Sequence, residues 1–252
     1  MMSLLLDVLA RPSRAVERLR QPDHALRPAV RIFVLYLVVN TAFQTLKPAD
    51  FPSPGPDSLE FGVQGDWLFW VKVQLYNIPL TAAWIALAAW FCRLLGEGRL
   101  PRRVAAAGAA LALPLGLILL EHQGLLPRGV AVAVWLAIPI ALLPSLRSVS
   151  RDRWLELIAF FLCLDAIALA ATPILACATL LRAETLYHAV EMGSLLWLLA
   201  VASFGLARLA QIRTARAFLA IFLSALGQIL ALYGMHRLGL VSKEILKGLM
   251  SV

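Results

Sequence analysis

Two ionisable side chains lie well inside long apolar stretches: Asp165, about eleven residues into residues 154–181, and Lys72, about five into residues 67–95. A charge at mid-bilayer costs about 2.5–3.5 kcal/mol even on a lenient scale, so such groups pair, face water, or serve a path for ions or solutes. If the two helices cross a core of about 30 Å in opposite directions, a 1.5 Å rise puts Lys72 roughly 8 Å from one boundary and Asp165 roughly 16 Å from the other. Their depths then differ by about 6 Å, within a lysine's reach. Asp165 and Lys72 are therefore the candidate intramembrane polar pair. For Asp165, structural pairing and a role in moving an ion, proton or substrate both stay open. Asn40, Thr41 and Gln44 give residues 29–46 a polar side, as do Gln74 and Asn77 in residues 67–95, and Gln228 is central in residues 217–236. Amides so placed are expected to hydrogen-bond between helices.

A second polar set falls at helix ends. Glu121 and His122 follow the third apolar run, and His188 and Glu191 open the sixth, so all four meet one membrane face. His188 and Glu191 share a helical side by their i,i+3 spacing. Two histidines and two carboxylates form a donor set that zinc accepts. Wet polar residues are ordinary at helix ends, however, and His188 and Glu191 alone make a weak motif; a haem would need histidine pairs deep on facing helices. No metal or cofactor is expected. No nucleophile–base order, phosphate loop or zinc-protease motif occurs, so no catalytic residue is expected. Cys92, Cys163 and Cys177 lie in apolar runs without a CxxC partner and read as small core residues.

The elements that would position these groups are membrane helices. The chain is 61% hydrophobic and only 15% charged, against about 45–50% and about 25% in an average soluble domain. Its net charge of +8 is spread in short clusters between apolar runs, which argues against a nucleic-acid binder. Seven stretches are candidate spans: residues 29–46, 67–95, 104–120, 129–146, 154–181, 187–209 and 217–236. Period-two alternation is absent, so the expected class is all-α: a polytopic transmembrane bundle of about seven spans behind an N-terminal amphipathic interfacial helix. Pro79, Pro114, Pro139 and Pro173 fall inside these stretches, where neighbouring helices make proline tolerable. The small-residue run over residues 105–116 suits close helix approach, within the bundle or between subunits.

Loop charges set the orientation. Lys and Arg before and between successive spans number six, one, four, one, three, one and three, with three more in the tail. By the positive-inside rule the N-terminus is cytoplasmic. Seven spans put the tail, with Arg237, Lys243 and Lys247, on the other side; the alternative is one span too many among the last three. The loop over residues 47–67 is rich in proline and glycine and reads as an ordered external loop.

In the opening segment Leu5, Val8, Leu9, Val16 and Leu19 share a helical face, with Asp7, Arg11, Arg14 and Arg18 opposite. Asp7 is spaced for an i,i+4 pair with Arg11, and Pro12 either starts a second helix or kinks the first. The segment reads as a helix lying in the membrane interface, with Arg11, Arg14 and Arg18 on anionic lipid of the cytoplasmic leaflet. The rival arrangement packs it under the bundle.

A family resemblance rests on this region. The stretch "ARPSRAVERLRQPDHALRPAV" runs straight into the first span and, with "RRVAAAGAALALPLGLIL" and "IALLPSLRSVSRDRWLELIAFF", resembles the bacterial branch of the Yip1-domain membrane proteins over residues 1–180. The resemblance implies a core of about five spans and a role in membrane organisation rather than catalysis. The layout is then residues 1–28 as the amphipathic segment, 29–181 as the Yip1-like core, and 182–252 as two further spans and a tail. The expected protein is a non-enzymatic scaffold or accessory subunit of a bacterial inner membrane, with lipids, other membrane proteins or its own copies as partners. The alternative is a small transporter or channel using Asp165 and Lys72, and an enzyme built on the outward polar set comes third.

Overall fold

The computed structural model describes residues 2–20, 22–48, 50–52, 65–96, 100–127, 129–135, 137 and 149–250. Over these residues the chain is all-α, without a strand. Two short helices, α1 (Met2–Ala10) and α2 (Pro12–Leu19), precede α3 (Pro22–Leu46), α4 (Trp67–Gly96), α5 (Leu100–His122), α6 (Arg151–Leu180), α7 (Glu184–Ala210) and α8 (Thr214–Arg237), and a last short helix, α9 (Lys243–Met250), closes the chain. Helices α3 to α8 are each long and apolar enough to cross a membrane. The remaining expected span, residues 129–146, lies mostly outside the described residues, of which 129–135 are helical. The external loop and Pro139 fall largely or wholly outside them too. At 30 residues each, α4 and α6 are roughly 45 Å long, so they tilt or project beyond a core of about 30 Å.

Local chemistry sets the helix ends. Asp66 Oδ1 accepts from the Phe69 amide at 2.8 Å, Ser150 Oγ from Arg153 at 3.4 Å and Ser242 Oγ from Ile245 at 3.3 Å, capping α4, α6 and α9. Four helices finish alike. Gly124, Arg182, Gln211 and Gly239 take left-handed backbone (φ 71, 53, 54 and 76°) after α5, α6, α7 and α8. The next amide in each case reaches back to Leu120, Ala178, Ala207 or Met235, closing a Schellman turn. Glycine adopts that backbone freely; Arg182 and Gln211 carry a steric cost that other contacts must offset.

Ion pairs between helix ends fix directions. Arg182 and Asp50, past the ends of α6 and α3, meet at 2.8 Å, so α3 and α6 run parallel. Arg237 of α8 meets Glu121 of α5 at 3.2 Å, so α5 and α8 run parallel. Short turns join α6, α7 and α8, which pack side by side and alternate in direction. Thus α5 and α6 point the same way, and the connection between them starts and finishes at opposite ends of the bundle. One end carries α1 and α2, the finish of α4 and the α7–α8 turn, where Gly96 lies against Ile212. The other carries α9, whose Gly248 lies against Val73 and Phe69 of α4. The two chain termini are therefore at opposite ends.

The centre of the bundle is α6, flanked by α3, α7 and α4, while α8 joins α7, α4 and α5. Half of α6's most apolar window is buried but only 11% of α5's. Phe160, Phe161 and Trp84 stack edge to face through the core, with Trp84 and Phe161 centroids 4.9 Å apart. Gly205 of α7 faces the Phe160 ring, and Gly234 of α8 receives Trp135. Proline sits inside α3, α4, α5 and α6; Pro28 joins those expected because α3 starts at Pro22, earlier than residue 29. Cys92 and Cys163 are buried as expected, whereas Cys177 is exposed on the outer side of α6.

The opening segment breaks into two helices at Pro12 and docks on the bundle. Leu4, Val8, Val16 and Leu19 are buried in the main core. Asp7 does not sit on the outward face or pair with Arg11. It is buried and meets Arg18 at 2.7 Å, because the fold-back at Pro12 turns α2 over it.

Candidate functional site

The inner faces of α3 and α4 share a polar line. On α3, Tyr36, Asn40 and Gln44 recur every fourth residue and are all buried, with Thr41 beside them. On α4, Trp70, Gln74 and Asn77 follow at spacings of four and three. Tyr36 lies ten residues before the end of α3 and Asn77 ten after the start of α4, so both are roughly 15 Å from the same end of the bundle. They meet there. Asn40 Nδ2 donates to the Tyr36 hydroxyl at 3.3 Å, and Asn77 hydrogen-bonds the same hydroxyl. Asn77 Nδ2 also donates to Gln74 Oε1 at 3.3 Å. Nearer the end, the Gln74 Nε2 and Trp70 Nε1 donors are buried without a hydrogen-bond partner.

Asp165 lies at the inner end of this line. It stands fourteen residues into α6 and fifteen from its finish, at mid-helix, and it acts electrostatically on Tyr36. Every residue of α6 from 159 to 167 is buried except Asp165, which is partly exposed. The partial exposure continues along the same side of α6 at residues 168, 169 and 172. No hydrogen bond or ion pair engages Asp165 among the described residues.

Lys72 is not brought to Asp165. Val73 and Gln74 are buried while Lys72 is exposed. At about 100° per residue, the α4 face that buries Trp70, Val73, Gln74 and Leu80 turns Lys72 outward. Depth allowed the pair; helical phase forbids it. Gln228 does link helices as expected, donating to the Leu80 carbonyl at 3.2 Å, and Trp84 Nε1 donates to Ser224 Oγ at 3.0 Å.

The four residues of the second set divide. Arg237 Nη2 lies 3.2 Å from both Glu121 Oε2 and His122 Nδ1. His188 Nδ1 is 3.5 Å from Glu191 Oε2, with both side chains more than half exposed. A guanidinium holds the first pair, and no three His, Cys, Asp or Glu side chains gather among the described residues. Arg237 read as a tail residue in the sequence; its place in the last turn of a span ending on the same side as Glu121 was the available signal.

A clamp at the same end joins α3, α6 and α7. Phe51 meets Tyr187 edge to face at 5.4 Å. The Arg182 guanidinium lies 6.0 Å from the Phe51 centroid, and Lys47 Nζ 5.7 Å from that of Tyr187. The hydrogen bond from Arg182 holds the Asp50 carboxyl below the usual carboxylate range. Burial lowers the Lys47 ammonium from its ordinary value, partly opposed by the charge of Glu191. These contacts keep Arg182 in its left-handed backbone.

At the other end Arg11, Arg14 and Arg18 are exposed, as are Met2 and Leu6. Arginines from α2, the start of α3, the finish of α4, the start of α6 and the α7–α8 turn gather there. No family model, curated protein or solved structure matches this chain. Six long apolar helices around a shared core decide the class. It is a multi-pass integral membrane protein. Among the described residues its polar groups include a line ending at Asp165 within the membrane, the α4–α8 hydrogen bonds of Gln228 and Trp84, and ion-pair clamps where helices emerge.

Proposed function

We propose that this is a non-enzymatic scaffold or accessory subunit, set in a bacterial inner membrane with the α1–α2 end in the cytoplasm. One observation carries the reading. The α1–α2 pair is docked by Leu4, Val8, Val16 and Leu19, yet presents Arg11, Arg14 and Arg18 together with Met2 and Leu6 outward. Arginines beside apolar side chains at a membrane boundary suit an anionic leaflet, each contributing about 1 kcal/mol. Anionic lipid is the proposed partner, together with other membrane proteins or further copies of the chain. Helix α5, with Val104, Leu113 and Leu119 exposed and open space at Gly108 and Gly116, is the side that would receive a neighbouring helix. The Yip1-like layout over residues 1–180 belongs to the same proposal.

The test is the lipid retained by the full chain extracted from mixed bilayers. Anionic lipid should be enriched, and replacing Arg11 and Arg14 by Gln, which leaves the Arg18–Asp7 pair intact, should weaken its retention by roughly thirtyfold, with added salt doing the same. Equal lipid composition around both proteins contradicts the reading.

A second reading, a small transporter, is favoured by the unpaired Asp165 at the end of a polar line. Lys72 has no part in it.

A further inference from the structure

We propose that Lys72 of α4 with Lys243 and Lys247 of α9 forms a second lipid site, which holds the phosphate of an anionic phospholipid in the leaflet at the α9 end of the bundle. The inference goes beyond the scaffold reading. It uses none of the arginines of α1 and α2 and holds whichever end is cytoplasmic.

Basic residues are scarce at this end. The α3–α4 and α6–α7 connections carry one each, Lys47 and Arg182, yet the tail brings Lys243 and Lys247 to the same end. Lys72 is unusual in another way. It lies roughly 8 Å inside the start of α4, on a side turned away from the bundle. None of the three lysines has an ion-pair partner within the described residues. The acids of the two segments serve the helix starts instead: Asp66 accepts from the Phe69 amide, and Glu244 accepts from Ser242.

The contact between α9 and α4 brings the lysines together. Gly248 lies against Val73 and Phe69. Lys247 and Lys72 are the chain neighbours of Gly248 and Val73, so each starts about 3.8 Å along the backbone from the contact. At about 100° per residue, Lys72 and Tyr76 flank the contact on one side of α4, and Trp70 and Gln74 on the other. The first two are exposed and the second two buried. Around α9, Lys243 and Lys247 lie to one side of Gly248, and Ile245 and Leu249 to the other. Lys243 is exposed, whereas Ile245 and Leu249 are half-buried. The open sides of the two helices border one seam on the outside of the bundle.

The seam fits a phospholipid in both its polar and its apolar part. Side chains on a helix lean toward its N-terminus, and α4 starts at the α9 end. The Lys72 stem therefore runs along apolar surface toward the boundary and sets its ammonium near headgroup level. Three ammonium groups at that level match phosphate oxygens through charge-assisted hydrogen bonds. Deeper in the membrane, Leu75 and Tyr76 are 60% and 41% exposed and Pro79 is exposed on the same side. They continue the seam as an apolar strip for an acyl chain, which a soluble anion would leave uncovered. A zwitterionic lipid carries its own ammonium to compete for the phosphate, so the lysines favour a headgroup of net negative charge.

Photocrosslinking of the full chain in lipid nanodiscs tests this. A trace of phosphatidylglycerol or of phosphatidylcholine is added, each with the same diazirine-bearing acyl chain, and the labelled peptides are identified by mass spectrometry. The phosphatidylglycerol probe should label residues 67–79 and 243–250 well above the phosphatidylcholine probe. Unlabelled phosphatidylglycerol should displace it, about fivefold less effectively for each lysine replaced by Gln. The triple variant Lys72→Gln, Lys243→Gln, Lys247→Gln should lose the preference between probes. The variant Arg11→Gln, Arg14→Gln should keep it, which separates this site from the arginine end and its failure from that of the scaffold reading. Equal labelling by both probes in the wild type overturns the proposal, as does a preference unchanged in the folded triple variant. Displacement by inorganic phosphate as effective as that by the lipid overturns it too. The comparison of probes on the wild type stands even if a variant fails to fold.

Discussion

Gly205 and Gly193 lie on the same helix, α7, and the same substitution should act on them with opposite sign. A Cβ built at Gly205 runs into the Phe160 ring, while one built at Gly193 meets nothing within 4 Å. Phe160 has little freedom to retreat. Its ring packs edge to face on Phe161 at 5.7 Å, and Ala159, Phe161, Ala202 and Leu206 around it are all buried. Replacing glycine by alanine inside a helix gains about 0.8–1.0 kcal/mol of propensity. Overpacking a closed core costs about 1–3 kcal/mol. At Gly193 only the gain applies, so Gly193→Ala should be neutral or stabilising by up to about 1 kcal/mol. At Gly205 the two oppose and the clash wins, leaving a net loss of up to about 2 kcal/mol. Phe160→Leu makes room, so adding Gly205→Ala to it should cost less than adding it to the wild type. Reversible unfolding in mixed micelles, followed by tryptophan fluorescence, measures the four variants against the wild type. Equal stabilisation by Gly205→Ala and Gly193→Ala would refute the close approach of α6 and α7 at this point.

Leu19→Ala removes a fully buried side chain that ties α2 to the core and should cost about 2–5 kcal/mol, whereas Leu6→Ala, on the exposed side of α1, should change stability little; proteolysis of the N-terminal segment reads the difference. Burial lowers Lys47 below its ordinary 10.5, so above that lowered value the unfolded chain binds the extra proton and stability rises with pH until about 10.5. Lys47→Met should abolish that alkaline rise in an unfolding series. The lowered carboxyl of Asp50 works in the acid direction: its pairing with Arg182 persists at neutral pH and is lost as pH falls through the folded-state value, so Asp50→Asn should flatten the acid limb of the same series.

Much of the bundle was legible because length and apolarity alone define a span. The starts of α4, α6 and α8 fell within a few residues of expectation, marked by Asp66, Ser150 and the arginines before α8. What could not be read was rotation. Helices such as α4 and α6 are apolar over most of their circumference, so no hydrophobic stripe says which side faces inward, and Lys72 was placed by depth without a phase. Its neighbours Trp70, Gln74 and Asn77 carried the phase, since spacings of four and three put them on one side that leaves Lys72 out. Tyr36 was missed because it is neutral at ordinary pH, although its i,i+4 relation to Asn40 was there to see. The pairing of Asp7 with Arg18 depends on the fold-back at Pro12, a tertiary feature that heptad-scale reasoning on one continuous helix does not capture.

The central claim is that the bundle's arginine-rich end, bearing α1 and α2, is cytoplasmic and that the end bearing Glu121, Arg237 and α9 faces out. Single cysteines placed at Ser13, Gln123 and Ser242 in a cysteine-free background, probed in intact cells with a membrane-impermeant maleimide, measure it directly. Gln123 and Ser242 should label and Ser13 should be protected until the membrane is opened. Labelling of Ser13 in intact cells, or protection of Ser242 alongside labelled Gln123, would contradict the account.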